Sequence, residues 1–183
     1  PIAFVSTKSK DGILNLAPFS YFNGVCSNPP TVMFAPARRG YDGLTKDTLN
    51  NIRDTEEFVV NIVSEQIAEP MVACATDFNK DVDEFEVSGL TPIDSIKVVP
   101  PRVKESKVSF ECTLNTIVPV GEPGPGGGFV VIGTIIMFHV DDEVYTDGRI
   151  DLNTLNPVGR LAGNYYTRVH DTFKIVRQIK PDN

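Results

Sequence analysis

Basic residues are in the minority in this chain, histidine is scarce, and no hydrophobic run is long. Among 183 residues, 17 Lys and Arg face 24 Asp and Glu, for a formal net charge of −7. Nucleic-acid surfaces need a basic stripe, so that class of partner is excluded. Only two histidines are present, His139 and His170, which rules out a zinc site built on two or three imidazoles plus spacing-matched cysteines. The three cysteines, Cys26, Cys74 and Cys112, are odd in number and far apart. They form neither a disulfide framework nor a zinc pattern, and point to a reducing compartment, the cytoplasm. The longest apolar run, 129–140, is β-branched and broken by Gly133, Thr134 and His139, so it reads as a buried strand. It falls well short of the ~20 residues that cross a bilayer, and no membrane partner is expected. Residues 1–7 lack the basic start and cleavage site of a signal peptide. The chain opens on Pro1 without a methionine, so completeness at that end is left open.

Several chemistries are missing as motifs. The glycine run 121–128 places Phe129 where a dinucleotide fingerprint needs its third glycine, and it precedes a strand rather than a helix. No P-loop and no nucleophile elbow occur. Asp141, Asp142 and Glu143 lack the order of a calcium loop and read as a solvated turn. No metal site is expected. His139 reads as a core or edge residue, and His170, beside Arg168 and after Tyr165-Tyr166, is the better functional candidate of the two, although a solvated loop histidine is the favoured reading.

What is present is mostly strand. Residues 2–7 and 13–17 flank an Asp11-Gly12 turn and predict a hairpin. Strands are also predicted over 31–35, 57–63, 108–118 and 129–142, with a further one at 172–176. Helices are predicted from Thr45, read as the N-cap, to Arg53, from an opening at Ser64 and Glu65 through 69–75, and as a short turn at 83–87 closed by Gly89. Strands outnumber helices and most are joined by short turns. The expected fold is mainly β, an antiparallel barrel with short inserted helices, in one domain over 1–183.

The chemistry concentrates in residues 15–53. A cluster of small, polar and aromatic residues, Pro18 to Asn23, lies between two apolar runs and reads as a turn suited to a flat heteroaromatic ring. Arg38, Arg39 and Lys46 then gather at a helix start in an otherwise acidic chain. First-turn amides and the helix dipole stabilise an anion there, and Thr48 adds a hydroxyl. The competing reading is that Thr45 and Asp47 merely cap the helix, with the Asp47 carboxylate repelling a phosphate. Cys26, just before Asn28-Pro29-Pro30, reads as a small hydrophobe rather than a reactive thiol.

The sequence P-I-A-F-V-S-T, then N-x-A-P-F-S-x-F-N, a P-P-x-x-M-F strand and a K-D-T-x-x-N-I helix resembles the flavin reductase-like family of FMN-binding split barrels. The likeness runs from Pro1 to about Tyr166. It implies an antiparallel split β-barrel of Greek-key type that binds FMN and assembles as a homodimer. It also implies that Asn15, Ala17, Pro18, Phe19, Ser20, Tyr21, Phe22 and Asn23 line the ring and ribityl chain. Arg38, Arg39, Lys46, Asp47 and Thr48 would hold the phosphate. The 159–166 run, with Arg160 and Tyr165, would complete the site across a dimer interface, although packing of the C-terminal segment explains Tyr165 equally well. The implied activity is oxidoreduction, with NAD(P)H giving hydride to the flavin and a small-molecule or protein acceptor taking the electrons. A flavin carrier with no nicotinamide site, and a cofactor-free interaction barrel, are the alternatives. No residue is assigned a catalytic acid or base, because the flavin carries the redox chemistry.

Overall fold

Proline and the ladder it cannot join fix the first hairpin. In the computed structural model, which describes residues 1–178, β1 (Ala3–Lys8) pairs with β2 (Leu14–Phe19), with Pro18 opposite Phe4. A prolyl nitrogen has no hydrogen to donate, so it sits where the ladder asks for none and on the free side of an edge strand. By the same alternation the Leu16 N–H points outward, away from β1. The remaining strands are β3 (Phe22–Ser27), β4 (Pro30–Phe34), β5 (Glu57–Ile62), β6 (Pro92–Ile93) and β7 (Arg102–Val103). They are followed by the long hairpin β8 (Val108–Val120) and β9 (Gly128–Val140), then β10 (Tyr145–Thr146), β11 (Arg149–Ile150), β12 (Val158–Arg160) and β13 (Tyr166–Arg168). The helices are α1 (Asp47–Thr55), α2 (Ala68–Ala73), α3 (Glu84–Ser88) and α4 (Leu152–Leu155).

Seven strands form one antiparallel sheet in the order β2-β1-β5-β8-β9-β4-β3. Phe19 on β2 and Phe34 on β4 come from opposite ends of that order, yet their ring centroids are 4.9 Å apart. The sheet is therefore rolled into a barrel and split between β2 and β3, as the mainly β reading of the sequence expects. Ala3, Val5, Phe19, Val32, Phe34, Phe58, Val60 and Val131 fill its interior, and Leu49 and Ile52 of α1 plug one end. The outer face of β1 and β2 is also covered. Ile2, Phe4 and Leu16 pack there with Met71, Cys74 and Phe85 around α2 and α3. Burial of β1 on both faces explains why Ala3-Phe4-Val5 is a continuous apolar run rather than an alternating one.

Several boundaries differ from the sequence reading. The presumed turn at Pro18–Asn23 is narrower: β2 continues to Phe19, Ser20 and Tyr21 make the turn, and β3 begins at Phe22. The β3 strand escapes sequence reading because its residues 23–27 are exposed and mostly small or polar, as an edge strand allows. Cys26 lies on this strand as a free, exposed thiol. The N-cap of α1 is Lys46, without a side-chain cap, while the Thr45 hydroxyl bonds Asn50 instead. The expected strand at 172–176 does not form; residues 169–178 carry no regular structure. His139, read as a core or edge residue, meets the fully buried Glu111 at 2.5 Å. By contrast, α3 starts on an Asp83 cap that accepts the Phe85 N–H and stops at Gly89 with φ of 70°, close to the reading from residue types.

Candidate active site

The split edge of the barrel, the start of α1 and the loop after α2 converge on one cleft. Its walls are Asn15, Ala17, Pro18 and Phe19 from β2, Arg39, Lys46, Asp47 and Thr48 around the start of α1, Cys74 to Phe78, and Glu84 from α3. Eight of the residues singled out in the sequence thus share one wall system. The β2 contribution is largely apolar, and the α1 contribution sets Arg39 and Lys46 beside Asp47 and the first N–H groups of the helix.

At the cationic end, Arg39 reaches Asp47 at 2.7 Å and Asp42 at 3.9 Å, and Lys46 reaches Asp77 at 2.5 Å. Burial works against the charge on Arg39, but Asp47, Tyr41 and Asp42 together raise its pKa, so it stays cationic. The first intrahelical bonds of α1 run from Leu49 and Asn50 to the Lys46 carbonyl. No side chain caps the helix, which leaves the Asp47 and Thr48 N–H groups at the cleft for an anion or water. Thr48 is fully buried, and its hydroxyl donates to Asn15 Oδ1 at 2.7 Å.

At the base lies a carboxylate that sequence reading passed over. Glu84 is buried and accepts from Asn15 Nδ2 at 2.8 Å and from the outward Leu16 N–H at 3.1 Å. Burial pushes its pKa up to about 7, helped by the negative charge of Asp47 and opposed by the bonds from Leu16 and Asn15. Cys74 beside it is buried, and that burial raises its thiol to about 11, so it is no thiolate nucleophile at neutral pH. Nothing in the acidic 81–86 run marks Glu84 as the buried member, since its neighbours Asp83 and Glu86 are of the same kind. Of the 74–78 wall, the sequence marks Cys74 and Ala75 as the end of a helix and does not single out 76–78.

Other residues singled out in the sequence stand elsewhere. Ser20 and Tyr21 form the exposed β2–β3 turn, Phe22 packs half-buried against the barrel interior, and Asn23 is exposed with its side-chain oxygen on the Gly24 N–H. Arg38 donates to the Gly43 carbonyl and lies over the Phe129 ring, 5.0 Å from its centroid. It anchors the neighbouring loop rather than lining the cleft. Arg160 lies over the Tyr166 ring and donates to the Gly163 carbonyl, and Tyr165 is exposed; both belong to the β12–β13 hairpin. No helix among the described residues is long and apolar enough to cross a membrane.

Comparison with known proteins agrees with this architecture. Residues 1–162 match the profile of the flavin reductase like domain. An uncharacterised protein of Aquifex aeolicus is 44% identical over 176 residues, covering 96% of this chain and 87% of that protein. The crystal structure of nitrilotriacetate monooxygenase component B from Bacillus cereus superposes with a TM-score of 0.90 at 37% identity, over 96% of this chain and 86% of that one. The 2-nitrobenzoate 2-nitroreductase NbaA of Pseudomonas fluorescens gives a TM-score of 0.82 at 33% identity, over 97% and 84%. With its rolled seven-stranded sheet split at β2 and β3, the chain belongs to the flavin reductase-like family of split barrels.

Proposed function

We propose that this protein is an FMN-dependent oxidoreductase that takes hydride from NAD(P)H and hands electrons to a small-molecule or protein acceptor. The observation that carries the reading is the meeting of two unlike surfaces in one cleft. An apolar edge, Ala17-Pro18-Phe19, continues directly into a phosphate-sized set of donors: Arg39, Lys46 and the uncapped N–H groups of Asp47 and Thr48. That set fits a single terminal phosphate at the end of a planar cofactor, which favours FMN over riboflavin. When bound, the flavin supplies hydride acceptance and electron release. The protein's residues bind and orient it: the cations neutralise the phosphate, the β2 edge supports the ring system, and Glu84 fixes the backbone of that edge. Cleft acids and thiols are not needed as nucleophiles, consistent with the neutral Cys74.

The reading extends to a homodimer, in which the 159–166 segment reaches the partner's site. It is supported by apolar side chains left in solvent near the C-terminus, among them Phe173 and Ile175. A direct test is the absorption spectrum of the purified protein with the mass of any released chromophore. FMN is expected, and anaerobic NADH or NADPH is expected to bleach it. A chromophore reduced by dithionite but not by either nicotinamide would make the protein a flavin carrier, and a colourless protein that does not take up FMN would remove the flavin assignment.

A further inference from the structure

The cleft's cations account for an anion, but not for the carboxylate buried at its base. Glu84, 6% exposed, holds Asn15 Nδ2 and the Leu16 N–H, while Asn15 Oδ1 accepts the Thr48 hydroxyl at 2.7 Å and the Thr7 hydroxyl at 3.3 Å. The chain has a direction, with Thr48 donating to Asn15 and Asn15 donating to Glu84. An amide turned over by half a rotation exchanges acceptor and donor with little change of shape. A protonated Glu84 has an O–H to give, and the turned Asn15 accepts it at Oδ1. Asn15 Nδ2 then donates to Thr48 Oγ1, and the Thr48 hydroxyl hydrogen, no longer held by Asn15, is free to turn to another acceptor from its buried place in the cleft wall. Leu16 keeps its bond to the second, carbonyl-like oxygen of Glu84. Thr7, which also accepts from Asn51 Nδ2 at 3.0 Å, likewise has a hydroxyl proton to place anew.

We infer that Glu84 is a positioning residue for the flavin site: through Asn15, the proton on Glu84 decides whether the Thr48 hydroxyl is committed to the protein or offered to an anionic group in the cleft. The inference rests on the cleft being the flavin site. The strand β2 brings no titratable side chain against Glu84. Around it stand Asp47 of α1, Cys74 after α2, Asp83 and Glu86 of its own helix segment, and Arg39, Lys46, Asp77 and Lys80 along the adjoining clefts. With the Glu84 pKa raised to about 7, chiefly by burial, the exchange falls at neutral pH. An entering anion repels the ionised carboxylate, so binding draws a proton from solvent onto Glu84 and exposes the Thr48 donor in the same step.

The test follows the Asn15 side-chain amide by NMR in the flavin-free full chain, and FMN affinity by fluorescence quenching, both from about pH 5.5 to about pH 8.5. In the wild type the amide resonances should titrate with a midpoint near pH 7. FMN binding should weaken across the range by roughly tenfold more than in Glu84→Gln, whose side chain carries one donor and one acceptor at every pH. Titration of the FMN phosphate is common to both proteins and cancels in the comparison. Thr48→Val should keep the amide titration and the pH dependence due to direct repulsion by Glu84, and lose the part carried by the hydroxyl; a Thr48→Val profile identical to the wild type overturns the relay. Amide resonances that do not move, or that move alike in Glu84→Gln, overturn the relay, as do parallel FMN profiles. Absence of FMN binding in every variant would instead sink the flavin assignment, and the amide titration would still decide the relay.

Discussion

Arg39 and Asp47 meet at 2.7 Å on the rim of the cleft, so the cation best placed for a phosphate already holds a carboxylate. Neither Thr45 nor Asp47 caps α1 through its side chain, but the Asp47 carboxylate of the competing reading does stand in the cleft wall. Asp47 occupies the first turn of α1, where its charge favours the helix dipole, and it also engages the arginine that an anion would need. A phosphate entering here shares Arg39 with Asp47 and Lys46 with Asp77.

The contest between carboxylate and phosphate predicts opposite effects from neighbouring substitutions. Arg39→Ala or Lys46→Ala should weaken FMN binding roughly tenfold or more, the size of one charge-assisted contact, and leave riboflavin nearly unchanged. Asp47→Asn should tighten FMN by removing the repulsion, with no matching gain for riboflavin. Fluorescence titrations of the two ligands check this. Equal losses for both ligands would mean that the phosphate is not held here.

Assembly is the second expectation. Phe173, Ile175 and Val176 are 85%, 79% and 76% exposed, a large apolar display for one short segment. Light scattering should show a dimer, and two-fold dimers are the commonest soluble assembly. Phe173→Asp together with Ile175→Asp should shift it toward monomer and lower flavin occupancy. A wild-type monomer with full flavin occupancy would refute a site shared between subunits.

The parts legible in the sequence were those where local chemistry and tertiary role coincide. Asp11-Gly12 made its turn between β1 and β2, Gly89 closed α3, and the β-branched runs became β5, β8 and β9. Asn15, Ala17, Pro18 and Phe19 could be tied to Lys46, Asp47 and Thr48 by the family resemblance rather than by spacing, and the structure brings them into one cleft. Glu84 could not, because its burial comes from packing against β2, 68 residues away in sequence at its Leu16 contact. Glu111 escaped for the same reason: it sits inside a long strand and accepts N–H groups from Ile96, Lys97 and Val98. The β3 strand escaped because an exposed edge needs no hydrophobic alternation.

Glu84 should also shape the pH dependence of stability. Its pKa rises on folding from its ordinary 4.5 to about 7, so the native state binds the extra proton between those values. Stability is therefore highest below that window, falls as pH rises through it, and levels off above, with a loss on the order of 3 kcal/mol as an upper bound. Urea midpoints for the wild type should decline over the window, and those of Glu84→Gln should decline less. The two proteins losing stability in parallel would assign the decline to other groups.

Packing of the barrel wall gives a further prediction. A Cβ added at Gly133 on β9 would lie 2.3 Å from the Phe58 ring. Phe58 is fully buried and meets Phe34 edge-on at 5.5 Å, so it has nowhere to retreat. Gly133→Ala should cost about 1–3 kcal/mol of stability, read from denaturant midpoints. Pairing it with Phe58→Leu should recover part of that loss, a non-additivity that two independent sites would not show.

Ser20 and Asn23 offer the sharpest separation of ring from phosphate. They lie beyond the cleft, on the turn and strand that follow Phe19, and a planar group seated on the β2 edge would have to extend past Phe19 to meet them. Asn23 accepts the Gly24 N–H with its side-chain oxygen, which leaves its amide hydrogens for a ligand. If the ring edge or ribityl chain that both ligands share lies against Asn23, Asn23→Ala should weaken FMN and riboflavin alike, or shift the flavin spectrum. That pattern is the opposite of the FMN-selective loss expected for Arg39 and Lys46. Cys26→Ser should leave both ligands unaffected, since the exposed thiol bonds only the Asn28 carbonyl at 3.5 Å. Reduction abolished by Cys26→Ser and untouched by Asn23→Ala would make the chemistry thiol-based and remove the flavin from the reaction.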